Sequence, residues 1–276
     1  MRAAVLGSPI AHSLSPVLHA AAYRALGLSG WTYQAIECDE QRLPAFLASL
    51  GPDWAGLSLT MPLKRAVLAL LDEADDLVAQ TGGANTVVMT DGTRVGYNTD
   101  VPGMITALRD GGLRPPLGPV LVLGGGATAC SALATISRSG ATGATVAVRD
   151  RSRAAPLLEV ARQVGLPIRL TSFDRDELEP NQWKLLVSTV PAGAADPWAD
   201  KLAAGEISIE LLFDVVYDPW PTRLAVAAAG SEVPVIGGFD LLLHQAAEQV
   251  RLMTGLPAPV ESMRRAGLAE VAARYR

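Results

Sequence analysis

Residues 120–138 read VLVLGGGATACSALATISR: an apolar run of strand type, a three-glycine turn, and then a helical segment. Few folds accept that order. A strand that turns directly into a helix, which then returns to a parallel neighbour, is the unit of an open α/β sheet. Gly124-x-Gly126-x-x-Ala129 falls on the junction. Gly124 permits a tight turn, and Gly126 lets backbone N–H groups approach a pyrophosphate where the helix N-terminus favours negative charge. The junction therefore predicts a dinucleotide site, with Gly124, Gly126, Ala127 and Ala129 on the cofactor side.

Around this junction the strand and helix rhythm continues, with ATVAVR, KLLVST and LLFDVVY as further strands. The first hundred residues carry a rhythm of their own. RAAVLG, WTYQAIE and AGLSL alternate with helix-like PVLHAAAYRALG and EQRLPAFLASLG, which predicts βαβ units and a largely parallel sheet. Between the two stretches, a helix over about 101–110 runs into GGLRPPLGP, which cannot continue it. A chain of 276 residues suits two such units. The last forty residues read as two helices broken at Gly255 and Pro257.

Composition removes several function classes. At 49% hydrophobic and 18% charged residues the chain is globular, and a net charge of −5 gives no general attraction to nucleic acid or anionic lipid. No apolar run approaches the roughly 20 residues of a membrane helix, and the first residues lack an export signal. Cys38 and Cys130 fit neither a redox nor a zinc spacing and read as buried thiols, so a reducing cytoplasm is the expected compartment. His12, His19 and His244 are too scattered for a metal site, and none is assigned.

The choice of dinucleotide is made at the end of the next strand, in VAVRDRSRA. Val148 takes the strand end, and Arg149, Arg151 and Arg153 follow within five residues. Guanidinium groups there bind a ribose 2′-phosphate, which favours NADP over NAD. Asp150 opposes this, since a carboxylate at that position can instead accept a ribose hydroxyl.

Polar residues gather beside the strands of the first hundred residues. In GSPIAHSLSPVLHAA, Pro16 suits a first helical position, so Ser15 is the expected N-cap and Ser13 is a second hydroxyl that capping does not explain. Thr60 and Lys64 follow a strand in SLTMPLK, and Asn85, Asn98 and Asp100 lie in GANTV and GYNTD. Each has an ordinary structural use in a turn, cap or solvated helix. Together they predict a hydroxyl- and amide-rich pocket with one ammonium and one carboxylate.

The blocks SPIAHSLSP, SLTMPLK, GANTV, GYNTD, GGGATA, DVVYDPWPT and LLLHQA, in that order, make the chain resemble the shikimate dehydrogenase family over essentially its whole length. The resemblance implies a substrate-binding domain over 1–100 joined by C-terminal helices 240–276, and a Rossmann-type NADP-binding domain over 101–239. It implies that Ser13 and Ser15 receive the carboxylate of shikimate or 3-dehydroshikimate. Thr60, Asn85, Tyr217 and Gln245 match substrate-side residues, and Lys64 and Asp100 match the catalytic pair. Arg149 and Arg153 match the phosphate clamp, and Gly238 with the 188–193 loop matches segments near the nicotinamide. Ser58, where many members have Asn, Val148, and Leu241 in place of Met depart from the pattern. The implied reaction is reversible, NADPH-dependent reduction of 3-dehydroshikimate in aromatic amino-acid precursor synthesis, and a homodimer is compatible with it.

The chemistry explains why one cation and one acid are needed. Oxidising a secondary alcohol takes a hydride from carbon and a proton from oxygen, so some group must hold that proton. A free lysine keeps its proton to about pH 10.4, and a neighbouring carboxylate strengthens that hold, so the residue types alone leave the proton shared by the pair. Three other readings stay open on sequence: an NAD-dependent quinate or shikimate dehydrogenase, a non-catalytic NADP sensor of the same fold, and a folate-linked dehydrogenase.

Overall fold

The computed structural model describes residues 1–173 and 181–274. It divides into two compact units, Met1–Gly103 with Leu242–Arg276, and Met104–Leu241.

In the first unit, β1 (Arg2–Gly7), α1 (Ser15–Ala25), β2 (Thr32–Glu37), α2 (Leu43–Ala48) and β3 (Trp54–Leu59) alternate, with β1 parallel to both β2 and β3. Next come α3 (Leu63–Ala66), β4 (Glu73–Ala74), α4 (Asp76–Thr81), β5 (Thr86–Thr90), β6 (Thr93–Tyr97) and α5 (Asp100–Asp110). Leu6, Leu43, Leu57, Leu63, Val67 and Val87 form a dry core on one side of the sheet. The sheet is largely parallel, as expected, with one strand reversed. β5 runs antiparallel to β3 and β6, and the order is β2-β1-β3-β5-β6-β4. Asp91 and Gly92, at φ of 50° and 83°, make the two-residue turn that joins β5 to β6, and this is a hairpin geometry. One consequence bears on function. Ser58 pairs with Thr86 and Thr86 with Tyr97, so the end of β3, the start of β5 and the end of β6 share one end of the sheet.

The second unit holds β7 (Val120–Leu123), α6 (Ala127–Arg138), β8 (Ala144–Val148), α7 (Ala155–Gln163) and β9 (Ile168–Ser172). It continues through β10 (Gln182–Trp183), β11 (Leu185–Ser188), α8 (Asp196–Ala203), β12 (Ser208–Ile209), β13 (Leu212–Asp214), α9 (Arg223–Gly230) and β14 (Val235–Gly237). Six of these strands form a wholly parallel sheet in the order β14-β13-β11-β7-β8-β9, the doubly wound Rossmann arrangement, and β10 and β12 pair separately. β7 and β11 are buried along their full length, which is why they read as unbroken apolar runs. The edge strands β9 and β14, absent from the sequence-based expectation, are short and partly exposed.

The chain then enters α10 (Gly238–Thr254) and α11 (Val260–Arg274), separated around Gly255 and Pro257. The division between the units falls within α5 and α10. Within the first unit Arg274 donates to the His12 carbonyl (2.8 Å), tying the end of α11 to the loop after β1. Among the described residues no helix is long and apolar enough to cross a membrane.

His19 gives this unit an acid-sensitive point. Its ring is fully buried, stacks on Tyr33 with centroids 3.8 Å apart, and meets the Ser15 carbonyl at 3.0 Å through Nδ1. Burial lowers its pKa to about 4, from an ordinary value of 6.5. Folded His19 therefore stays neutral while the unfolded chain takes up a proton, so stability is intact above pH 6.5 and drains away as pH falls toward 4. The loss is on the order of 3 kcal/mol over that window. Thermal unfolding from pH 7 to pH 4 should show a shallower decline in His19→Phe than in the wild type; parallel curves would show that His19 does not carry the effect.

Candidate active site

The loop after β1 places the two serines. The expectation that Ser15 caps α1 is corrected: Leu14 occupies the N-cap position with no side-chain bond, and Ser15 is the first helical residue. The local bond runs the other way, with the Ser15 N–H donating to Ser13 Oγ at 3.3 Å. Pro16 has no N–H to satisfy in the first turn, which lets a helix start there without a capping side chain. Ser15 is buried, while Ser13 is half-buried.

The charged pair forms at the shared end of the sheet. Lys64 projects from the short helix α3, and Asp100 opens α5 directly after β6. Lys64 Nζ donates to Asp100 Oδ2 at 2.5 Å, with side-chain exposures of 16% and 6%. Water therefore screens this pair poorly. The second Asp100 oxygen, Oδ1, accepts from Asn85 Nδ2 at 2.9 Å. The orientation of Asn85 is fixed by the Thr99 backbone N–H, which can only donate and does so to Oδ1 at 2.8 Å. Both Asp100 oxygens thus accept, as a carboxylate does. The Lys64 ammonium retains two further donors for a ligand oxygen.

Gln245 joins from α10. Its Nε2 donates to the Leu242 carbonyl at 2.8 Å, and its Oε1 lies 3.5 Å from Asn85 Nδ2. A Cβ on Gly103 would stand 2.9 Å from the Gln245 backbone nitrogen, so α5 and α10 approach closely at a position without a side chain. Thr60 follows β3 and is half-buried, with its methyl group where a Cβ on Gly7 would lie. Asn98 serves the loop instead of a pocket: its Nδ2 donates to Thr81 Oγ1 and the Gly83 carbonyl, both at 2.9 Å. Among the described residues no cluster of metal ligands occurs.

In the second unit, Gly124 has φ +114°, and a Cβ there would stand 2.5 Å from Thr189 Oγ1. β7 and β11, which lead into Gly124 and Thr189, are the neighbours between which the strand order reverses, where open α/β sheets bind ligands. Gly126 is the N-cap of α6 with nothing within 4 Å of a built Cβ, so the backbone amides opening at Ala127 are approachable. Ala129 is fully buried and contributes close packing of α6 on the sheet. A dinucleotide pyrophosphate fits this turn.

After β8 the four charges sort themselves. Asp150 caps the short 3₁₀ turn Arg151–Arg153, its Oδ1 accepting from the Ser152 N–H (2.9 Å) and hydroxyl (2.6 Å). Those bonds hold its carboxyl below its ordinary range. Arg151 Nη2 donates to the Leu170 carbonyl at 3.0 Å. Arg149 and Arg153 are exposed beside them. Gly238 begins α10, where a Cβ would be 2.1 Å from the Val215 carbonyl oxygen, and Tyr217 lies half-buried after β13.

Tyr33, Thr86, Thr99 and Gln249, all members of the buried polar network, lie outside the sequence-based expectation. Ser58 Oγ accepts from the Tyr33 hydroxyl at 2.6 Å and donates to Gln249 Oε1 at 2.8 Å. Gln249 lies one helical turn beyond Gln245, a spacing of four that puts both on one face of α10, and that spacing is the available signal.

Comparison with known proteins returned matches over nearly the whole chain. Residues 5–87 match the model of the shikimate dehydrogenase substrate binding domain, and residues 238–266 that of the shikimate 5'-dehydrogenase C-terminal domain. The chain is 38% identical over 272 residues to a shikimate dehydrogenase (NADP(+)) of Thermus thermophilus, covering 97% of this chain and 99% of that one. It superposes on the crystal structure of Mycobacterium tuberculosis shikimate dehydrogenase with a TM-score of 0.87 at 45% identity, covering 97% and 99%. A Thermus thermophilus shikimate 5-dehydrogenase in complex with NADP(H) and shikimate gives 0.83 at 35% identity, covering 98% and 99%.

Proposed function

This chain belongs to the shikimate dehydrogenase family, and from that premise we infer how its residues divide the work. The protein is an NADP-dependent oxidoreductase acting on a CH–OH group, reducing 3-dehydroshikimate to shikimate reversibly in aromatic amino-acid precursor biosynthesis.

The observation that supports the catalytic assignment is the poorly solvated Lys64–Asp100 pair, with Asp100 accepting at both oxygens. In the reducing direction Lys64, as an ammonium, gives a proton to the oxygen that becomes the hydroxyl. Asp100 orients that ammonium and disperses its charge. In the oxidising direction the proton leaving the hydroxyl returns to the same pair. NADP, when bound, supplies or accepts the hydride. Gly124, Gly126 and the amides at Ala127 would hold its pyrophosphate, Ala129 would keep α6 close enough for that contact, and Arg149 and Arg153 would hold the 2′-phosphate. Gly238, whose missing Cβ lets α10 start against the Val215 carbonyl, would shape the backbone at the cofactor's nicotinamide end.

Ser13 and Ser15 supply hydroxyl donors for the substrate carboxylate, and Thr60, Asn85, Gln245 and Tyr217 supply polar contacts for the ring hydroxyls. The partners are small molecules in the cytoplasm, the net charge of −5 offering nucleic acid no general attraction. A homodimer is the oligomeric state to check by light scattering.

Initial rates with shikimate plus NADP⁺ should exceed those with quinate plus NAD⁺. The opposite ranking would replace the biosynthetic reading with a catabolic one.

A further inference from the structure

Behind the charged pair the first unit carries a chain of buried hydrogen bonds that the reaction itself does not call for. It starts at the Tyr33 hydroxyl, which donates to Ser58 Oγ (2.6 Å). Ser58 donates to Gln249 Oε1 (2.8 Å), Gln249 Nε2 donates to Thr86 Oγ1 (3.1 Å), and Thr86 donates to Asn85 Oδ1 (3.0 Å). Asn85 Nδ2 then donates to Asp100 Oδ1 (2.9 Å). Ser58, Gln249, Thr86 and Asn85 are at most 4% exposed. One continuous path therefore joins the Tyr33 hydroxyl to the carboxylate of the charged pair.

The direction of this path is determined. The Thr99 N–H fixes Asn85 Oδ1 as an acceptor, so in its 3.0 Å bond to that oxygen the Thr86 hydroxyl is the donor, a shorter contact than the 3.4 Å to Thr99 Oγ1. Thr86 Oγ1 must then accept from Gln249, which requires the Gln249 nitrogen to face Thr86 and its oxygen to face Ser58. Hydroxyls at 33, 58 and 86 can reverse by rotating an O–H bond. Gln249 cannot, because its donor and acceptor are different atoms. With the amide turned over, Thr86 would donate to Gln249, and Thr86 Oγ1 and Asn85 Oδ1 would confront each other as two acceptors 3.0 Å apart.

We propose that Gln249 is a positioning residue for the dehydrogenase reaction, setting through Thr86 the polarity of a one-way relay that holds the Asn85 amide on Asp100. Gln249 touches no reacting atom. It acts by keeping Asn85 pointed at the carboxylate that orients Lys64, and Ser58 and Tyr33 extend the same order on the far side of Gln249. The inference rests on the catalytic assignment of Lys64 and Asp100 given above.

The test uses Gln249→Met, which keeps length and removes both hydrogen bonds, Thr86→Val, and the double variant. Rates of shikimate oxidation are normalised to NADP⁺-binding sites, so that only folded enzyme counts. Each single variant should lower kcat about tenfold while KM for shikimate changes less than about threefold. The primary isotope effect with shikimate deuterated at the reacting carbon should rise, and the double variant should be no slower than the slower single, since both break one path. Losses that multiply in the double variant, or that appear only in KM or in melting temperature, would overturn the proposal and leave these residues as packing. Wild-type enzyme without shikimate turnover overturns the functional reading and the relay's catalytic role with it. Wild-type turnover with both single variants at wild-type kcat overturns the relay alone.

Discussion

Lys64→Ala is expected to lower kcat for shikimate oxidation by about 10²–10⁴-fold, the range of a general acid or base, with a much smaller change in KM. The ammonium meets one oxygen of Asp100 and has two further donors for a ligand oxygen. Its strongest interaction with substrate therefore arises as charge develops on the reacting oxygen, which is a transition-state effect and falls on kcat. Ground-state binding is expected to survive, since the hydroxyls of Ser13, Ser15 and Thr60 remain. Losing the lysine also leaves Asp100 buried with a negative charge and only Asn85 against it, so some stability should be lost as well. Melting temperature measured beside steady-state rates separates the two effects. A variant that keeps wild-type kcat and shows only a raised KM would move Lys64 from proton handling to binding.

The second large effect concerns the cofactor. Replacing both Arg149 and Arg153 by alanine should raise KM for NADPH by about 10²–10⁴-fold, since each charge-assisted bond is worth roughly 1.5–3 kcal/mol, and should hardly change KM for NADH. The surroundings decide which arginines matter. Arg151 is drawn to the Leu170 carbonyl, and the Asp150 oxygen that would compete for a ribose already accepts from both donors of Ser152. Arg149 alone should show a smaller version of the same selectivity. Equal losses with both cofactors would reject the phosphate clamp and return Asp150 to consideration as a ribose ligand.

Local chemistry in this chain is legible in the sequence, and long-range partnership is not. The turn at Gly124 can be read because one stretch of nineteen residues contains strand, turn and helix together. Lys64 and Asp100 can be named because each sits in a motif that follows a strand. Ser58 and Gln249, 191 positions apart, meet only because β3 and α10 pack in one unit, and no spacing in the chain encodes that. Asp150 is ambiguous for a related reason: whether a carboxylate faces a ribose or its own backbone depends on a local turn, and here the turn takes it. Ser15 reads as a cap because a serine before proline fits one, whereas the helix begins a residue earlier. The antiparallel β5 and β6 have a visible cue in Asp91-Gly92 between two β-type runs, which the parallel rhythm of the preceding elements obscures.

The most direct measurement is a crystal structure of the enzyme with shikimate and NADP⁺ bound together, read at the hydroxyl that loses its hydrogen. It should place that oxygen within about 3 Å of Lys64 Nζ, with Asp100 still paired to both Lys64 and Asn85. A ternary complex in which that hydroxyl lies beyond reach of both side chains, with another group taking its proton, would contradict the account.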